Sequence, residues 1–298
     1  MRMESIEQVQ TLLSSHLYVA DERLATVIYL SLKLKKPLFL EGETGVGKTE
    51  VGKVLSEALK RRLIRLQCYE GLDQSSALYE WNYPKQLLQV RMDQEKRCGP
   101  GDWTDIFTPD FLIGRPLLDA VQSGARGEPP VLLIDEIDRA DDEFEAFLLE
   151  FLSEFQVTIP EIGTIRAKDS PLVVITSNRT REVHEALKRR CLYHWIEYPT
   201  LEKEMEIIRL RLPHVNEHLA RQISEFMKKV RSMDFIKRPG VAESLDWAEA
   251  LVTLHREHLD AKTVSETLAC VFKYREDLQR FDQCVTEIMS DPSPTSAG

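Results

Sequence analysis

Gly42-Glu43-Thr44-Gly45-Val46-Gly47-Lys48-Thr49 matches the pattern G-x-x-x-x-G-K-[ST], the signature of a phosphate-binding loop. Its flanks agree with it. Pro37-Leu38-Phe39-Leu40 is a short apolar run of the kind a buried strand needs, and from Lys48 to Leu59 the positions Val51, Val54, Leu55 and Ala58 repeat at helical spacing. A strand that turns through glycines into a helix aims several backbone N–H groups at one point, and the helix dipole adds positive potential there. In such a loop Lys48 bridges the β- and γ-phosphates of a nucleotide and the Thr49 hydroxyl ligates Mg²⁺. The expected ATP-binding set is therefore Gly42 to Thr49, extended by Glu50 in the first helical turn.

Two further strand ends complete the chemistry. Val131-Leu132-Leu133-Ile134-Asp135-Glu136 has four apolar residues without alternation, as in a strand buried on both faces of a parallel sheet, and it ends in two acids. Open α/β sheets place ligands at that carboxyl edge. Asp135 is expected to hold Mg²⁺, through water, beside Thr49. Glu136 is expected to orient and polarise the attacking water, because phosphoryl transfer depends on positioning and charge stabilisation. Leu172-Val173-Val174-Ile175-Thr176 is another buried strand, and Asn178 just beyond it can bond the γ-phosphate or the attacking water. Arg189 and Arg190 follow a short helix over 183–188. One of them, Arg190 in preference, is expected to be an arginine finger that reaches a neighbouring subunit's nucleotide, a role that supplies roughly 10³–10⁵ in rate. Taken singly, each has a plainer explanation: a solvated strand end, a turn asparagine, a surface arginine pair. The phosphate loop gives them a common one.

The rest of the chain frames these motifs. Residues 5–34 read as helical, and Leu63-Ile64-Arg65-Leu66-Gln67 as a second strand. Residues 68–110 hold Tyr69, Tyr79, Trp81 and Tyr83, a helix over 85–96 and a loop at Gly99-Pro100-Gly101. The aromatics read as packing or interface residues. A short helix is expected over 117–121 and an amphipathic one over 144–155. Segments 156–160 and 162–166 flank a Pro/Gly turn and suggest a β-hairpin. From Pro199 the pattern changes to helices at 201–212, 215–232, 242–258 and 263–289. The domain expectation is an α/β nucleotide-binding domain over 1–200, a helical lid domain over 201–289 and a disordered Pro/Ser-rich tail over 290–298.

Composition excludes several classes. The 298 residues are 43% hydrophobic and 30% charged, and no apolar run approaches the ~18 residues of a membrane span. The start, Met-Arg-Met-Glu-Ser, lacks the apolar region of a signal peptide, so a cytoplasmic location is expected. Five scattered cysteines with no C-x-x-C pair read as reduced thiols rather than a disulfide or metal framework, and the seven histidines show no metal-like grouping. A net charge of −10 disfavours general nucleic-acid binding, though not a local basic pore, and favours protein partners.

Strand, phosphate loop, helix, Asp-Glu, Asn, arginines and helical lid follow one another in the order of an AAA+ ATPase, which the chain resembles over nearly its whole length. Within that superfamily it is similar to the MoxR family. Three features carry this: Arg65-Leu66-Gln67-Cys68-Tyr69-Glu70-Gly71-Leu72-Asp73 after the second strand, the long separation of Lys48 from Asp135, and the hairpin at 156–167. Tyr79-Glu80-Trp81-Asn82-Tyr83, Leu187 to Trp195 and Ser244-Leu245-Asp246-Trp247-Ala248 resemble the branch typified by CoxD. The resemblance implies a P-loop NTPase fold with a central parallel sheet and an all-α lid. It also implies ATP and Mg²⁺ as cofactors, and a homo-oligomeric ring, in all expectation a hexamer. The activity implied is chaperone-like, on a protein client such as a molybdenum hydroxylase, with a partner carrying a von Willebrand factor A domain. One departure stands out. Ala242 occupies the place where the family's lid supplies a sensor arginine, and Arg238 is the nearest substitute. Asp138 and Arg139 are given structural or interface roles only.

Three functions follow in order of preference: a ring ATPase that remodels a protein, a nucleic-acid motor or loader, and a nucleotide-gated scaffold with little hydrolysis. The net charge argues against the second and the intact Asp135-Glu136 pair against the third.

Overall fold

A computed structural model describes residues 3–95 and 105–281. The chain forms two compact units. The first comprises the described residues to Leu12, then Asp21–Glu41 and Thr49–Trp195; the second comprises Leu13–Ala20, Gly42–Lys48 and the described chain from Ile196 on.

The expected helix over 5–34 is two helices, α1 (Ile6–Ser15) and α2 (Glu22–Leu34). Leu17 takes a left-handed φ of 60° between them, and Asp21 starts the second by accepting the Leu24 N–H at 2.8 Å. Such a carboxylate cap satisfies one of the orphan donors of a helix start. The chain then runs through β1 (Leu38–Gly42), α3 (Lys48–Ala58) and β2 (Leu63–Gln67). An insertion follows: α4 (Gln74–Leu78), β3 (Tyr79–Trp81), α5 (Tyr83–Glu95) and β4 (Leu112–Gly114), with β3 and β4 paired antiparallel. Next come α6 (Pro116–Ala125), β5 (Val131–Asp135), α7 (Asp142–Glu154), the antiparallel hairpin of β6 (Gln156–Ile159) and β7 (Gly163–Arg166), β8 (Leu172–Ser177), α8 (Glu185–Arg190) and β9 (Leu192–Ile196). The loop expected at 99–101 lies outside the described residues, as do Cys98, Cys284 and the tail.

Among the described residues the central sheet has the order β2-β5-β8-β1-β9. The pairs β2–β5, β5–β8 and β8–β1 are parallel. Every residue of β1, β5 and β8 is buried, which is why their sequences are continuous apolar runs rather than alternations. The register sets Gln67 beside Asp135 and Glu41 beside Ser177, so four strand ends share one edge. Trp81 is buried in the core of this unit and meets Tyr79 and Phe107 edge-on, with centroids 6.3 and 5.4 Å away. Tyr69 and Tyr83 are exposed.

The helices of the second unit are α9 (Leu201–Arg211), α10 (Glu217–Ser232), α11 (Val241–Thr253) and α12 (Ala261–Thr267). Leu219, Ile223, Phe226, Met227 and Val230 form the buried stripe of α10 at helical spacing. Phe226 packs on Trp247 and Phe281 at 4.8 and 5.7 Å between centroids. The single helix expected from 263 is broken: α12 ends at Thr267, a short 3-10 turn covers Leu268–Cys270, and helix resumes over 275–281. Leu268, Val271 and Phe272 around this break are all buried in the core of the unit. Among the described residues no helix is long and apolar enough to cross a membrane.

Candidate nucleotide site

The acids end β5 and take their geometry from β2 and β8. Asp135 is nearly fully buried. Its Oδ1 accepts the Thr49 hydroxyl at 2.8 Å and the Thr176 hydroxyl at 2.6 Å. Its Oδ2 accepts two bonds from Arg65, Nε at 3.0 Å and Nη2 at 2.5 Å. Both are charge-assisted bonds, and both converge on one oxygen. Thr49 and Asp135 thus present hard oxygen donors side by side, a set that suits Mg²⁺ with waters and phosphate oxygens filling the remaining positions.

Glu136 sits in the left-handed region at φ 58°, ψ 52°. A non-glycine residue there costs energy that the surroundings must supply, and such residues cluster at functional sites. The surroundings are on hand. The Glu136 N–H donates to Thr176 Oγ1 at 2.9 Å, Asn178 Nδ2 donates to Oε1 at 3.3 Å, and Gln67 Nε2 and Arg139 Nε reach Oε2 at 3.2 and 2.9 Å. Arg139 therefore touches the candidate base directly, beyond the structural role expected for it. Asp138 is buried and accepts Asn178 N–H at 3.1 Å, Thr180 N–H at 2.9 Å and Thr180 Oγ1 at 2.6 Å. Burial pushes its carboxyl up, but the Thr180 and Asn178 bonds outweigh this and hold it below the usual range. Asp138 thereby fixes the turn that presents Asn178. Cys68, buried and facing Asp135, Asp138 and Glu136, has its thiol pushed up to about 12, so it is no nucleophile.

The loop itself falls in the second unit. Gly45 and Gly47 have φ of +81° and +97°, a conformation that side chains beyond glycine rarely take. Lys48 Nζ donates to the carbonyls of Gly42 and Glu43 at 2.8 and 2.6 Å. The start of α11 lies directly on the loop: Val241 N–H donates to Gly45 O at 2.9 Å, and a Cβ on Gly240 would stand 2.7 Å from Gly45 Cα. Ala242 and Arg238 are both exposed. The buried arginine is instead Arg231, which forks onto Glu204 at 2.6 and 2.7 Å and also bonds Pro239 O at 2.8 Å and Gly240 O at 3.2 Å. It fixes the turn that enters α11.

Thr44 and Glu43 are exposed, Val46 is buried, and Glu50 pairs with Lys53 at 3.5 Å. Arg189 and Arg190 are exposed at the end of α8; Arg189 pairs with Glu185 at 2.8 Å and Arg190 donates to the Leu149 carbonyl. Glu41, buried one residue before the loop, accepts Tyr193 Oη at 2.9 Å and faces Lys188 Nζ at 2.9 Å. Sequence reading missed Arg65, Gln67, Thr176, Arg231 and Glu41 as members of these networks. The one signal available for the first two was alternation in β2, which sets Arg65 and Gln67 on the same face.

In the sequence, a buried strand runs into a glycine loop with Lys-Thr, and later buried strands end in Asp-Glu and before Asn, the order of a P-loop nucleoside triphosphatase. The family model for the AAA domain (dynein-related subfamily) matches residues 37–191, just over half of the chain. The protein belongs to that family, and with it come nucleotide binding and, as a general family property, ATP hydrolysis. Among curated relatives, a Staphylococcus saprophyticus protein described as uncharacterised is 25% identical over 229 residues, 75% of this chain and 78% of its own. The Lon protease of Flavobacterium johnsoniae is 27% identical over 192 residues, 62% of this chain but 21% of Lon. Among solved structures, the Holliday junction branch migration motor RuvB of Thermotoga maritima aligns with a TM-score of 0.46 at 16% identity, covering 98% of this chain and 81% of that one.

Proposed function

We propose that the protein is a MoxR-type AAA+ ATPase, of the branch typified by CoxD, that hydrolyses MgATP and converts the cycle into remodelling of a protein client. The observation that carries this reading is Glu136, held strained at the strand end by Thr176, Asn178, Gln67 and Arg139 next to the Thr49–Asp135 pair. Two structural features support the MoxR-type part of this reading, the insertion over α4 to β4 and the hairpin between α7 and β8; the branch rests on the sequence segments Tyr79 to Tyr83, Leu187 to Trp195 and Ser244 to Ala248.

Thr49 and Asp135 would hold the Mg²⁺, which would supply neutralisation of the negative charge on the transferring group. The chain's own residues do the rest. The backbone N–H groups of the loop and Lys48 bind the phosphates, Glu136 aligns the attacking water and takes up its proton, and Asn178 orients Glu136 or the γ-phosphate. Arg190, or failing it Arg189, reaches a neighbour's nucleotide in a homo-oligomeric ring, a hexamer in this reading. A molybdenum hydroxylase is the proposed client, a protein with a von Willebrand factor A domain the proposed partner, and the cytoplasm the proposed location.

Glu136→Gln tests the reading. It preserves the shape and removes the base, so ATP turnover falls about 10²–10⁴-fold while fluorescent-ATP affinity stays close to wild type. Turnover at the wild-type rate would sink the role of Glu136.

A further inference from the structure

Asp135 has no acceptor position left over. Thr49 and Thr176 take Oδ1, and Arg65 takes Oδ2 twice. A divalent cation served by this carboxylate, directly or through its water shell, must displace one of the three. The Thr49 hydroxyl need only turn a lone pair toward the metal while still donating to Asp135. Thr176 is buried and also accepts the Glu136 N–H, so it is fixed from both sides. Arg65 differs from both. Its side chain is 48% exposed against 2% for Asp135, it stands on β2 at an edge of the central sheet, and its Nη2 already has a second acceptor in Gln67 Oε1 at 2.6 Å.

We infer that Arg65 is a positioning residue that serves as a resident cation. It keeps the buried Asp135 carboxylate paired when no metal is bound and yields Oδ2 to the divalent ion that arrives with nucleotide. The inference rests on the nucleotide reading above. Two cations cannot share one carboxylate face without repulsion, so Arg65 competes with the metal and sets the concentration at which the site fills. An unpaired carboxylate at 2% exposure is costly, which gives the pairing a purpose between cycles. Arg65 can swing out to water as the metal takes over the carboxylate, because its side chain is already 48% exposed.

The experiment titrates Mn²⁺ into full-length, chelator-stripped protein, read by the electron paramagnetic resonance of the free ion, with and without ADP. Arg65→Gln lowers the half-saturating Mn²⁺ concentration about tenfold, the scale of one charge-assisted hydrogen bond. Arg65→Lys, which keeps the charge and loses the fork, falls between and serves if the glutamine variant does not fold. An unchanged or raised half-saturation point overturns the inference. Thermal midpoints supply the second readout. Arg65→Gln is less stable than wild type in EDTA, and the deficit closes at saturating Mn²⁺. A deficit that is the same with and without metal makes Arg65 a structural partner only, and overturns the inference as well. Should the wild type fail to bind ADP, the nucleotide reading falls, while the Mn²⁺ titration without ADP still decides the role of Arg65.

Discussion

Two arginine–carboxylate pairs, one in each unit, differ in geometry and in what surrounds them: Arg231 sets Nη1 and Nη2 on the two oxygens of Glu204, whereas Arg65 sets Nε and Nη2 on Oδ2 of Asp135 alone. Arg231 on Glu204 is sealed, at 7% and 1% side-chain exposure, with Pro239 O, Gly240 O and Ser244 completing its donors. Arg65 on Asp135 is open on one side, at 48% and 2%. A third pair, Arg189 with Glu185, is open on both sides at 74% each. Charge alone would give the three the same importance. Solvent ranks them, because desolvation sets both the cost of an unpaired partner and the ease of exchanging it for another cation. The sealed fork holds the turn into α11 in place; the half-open fork can be exchanged.

The largest effect is expected where the fork is sealed. Arg231→Ala strands Glu204 without its cation and takes from the Pro239 carbonyl the donor it has in Arg231, so urea unfolding should show a loss of about 3–5 kcal/mol. The double replacement Arg231→Met with Glu204→Leu should lose much less, because it removes the burial cost together with the pair. If the single and the double variants were equally unstable, the sealed fork would be important for packing rather than for charge.

Asp138 offers the contrasting case of a buried carboxylate held by N–H and O–H donors, those of Asn178 and Thr180. Asp138→Asn turns one acceptor into a donor facing donors and should cost about 1–3 kcal/mol. The pH dependence has a definite sign. The folded carboxyl lies below its unfolded value, despite the opposing pull of burial. Its contribution is therefore fully present above the unfolded value of about 4 and is lost as pH falls through the lower, folded one. The stability gap between wild type and Asp138→Asn should accordingly stay constant at neutral pH and narrow as pH falls below about 4 in denaturant titrations. A gap that widened on acidification would reverse the assigned shift.

The same division by surroundings explains what the sequence reveals. Gly42 to Thr49, Asp135-Glu136 and Asn178 are legible because each adjoins a run of apolar residues, and burial on both faces leaves a contiguous signal. The hairpin of β6 and β7 is legible from its turn. By contrast, β3 and β4 are short and lie far apart in the chain, with α5 between them, so no local pattern marks their pairing. The break between α1 and α2 depends on one left-handed residue, Leu17, that propensity does not single out. Arg65 reads as a polar position on a strand; its importance comes from Asp135, which only the β2–β5 register brings beside it. Arg231 likewise reads as a solvated helix residue until its fold-imposed partners Glu204 and Gly240 are known. Ala242 reads as the loss of an arginine that the resemblance leads one to expect, and it is exposed at the start of α11.

The open fork should matter least for folding. Arg189→Ala removes an exposed pair one helical turn apart, worth about 0.3–0.5 kcal/mol, and chemical denaturation should barely register it. Any large effect of these arginines must then appear in turnover rather than stability, which is what an arginine serving a neighbour requires. Arg190 is the sharper probe. It is exposed and tied within its own subunit to the Leu149 carbonyl, a contact that water can replace. When Arg190→Ala protein is mixed with wild type, ATP turnover should fall out of proportion to the mutant share if each arginine completes a neighbour's site. A loss strictly proportional to that share would confine Arg190 to its own subunit, and it would remove the main reason for reading the arginine pair as part of a ring.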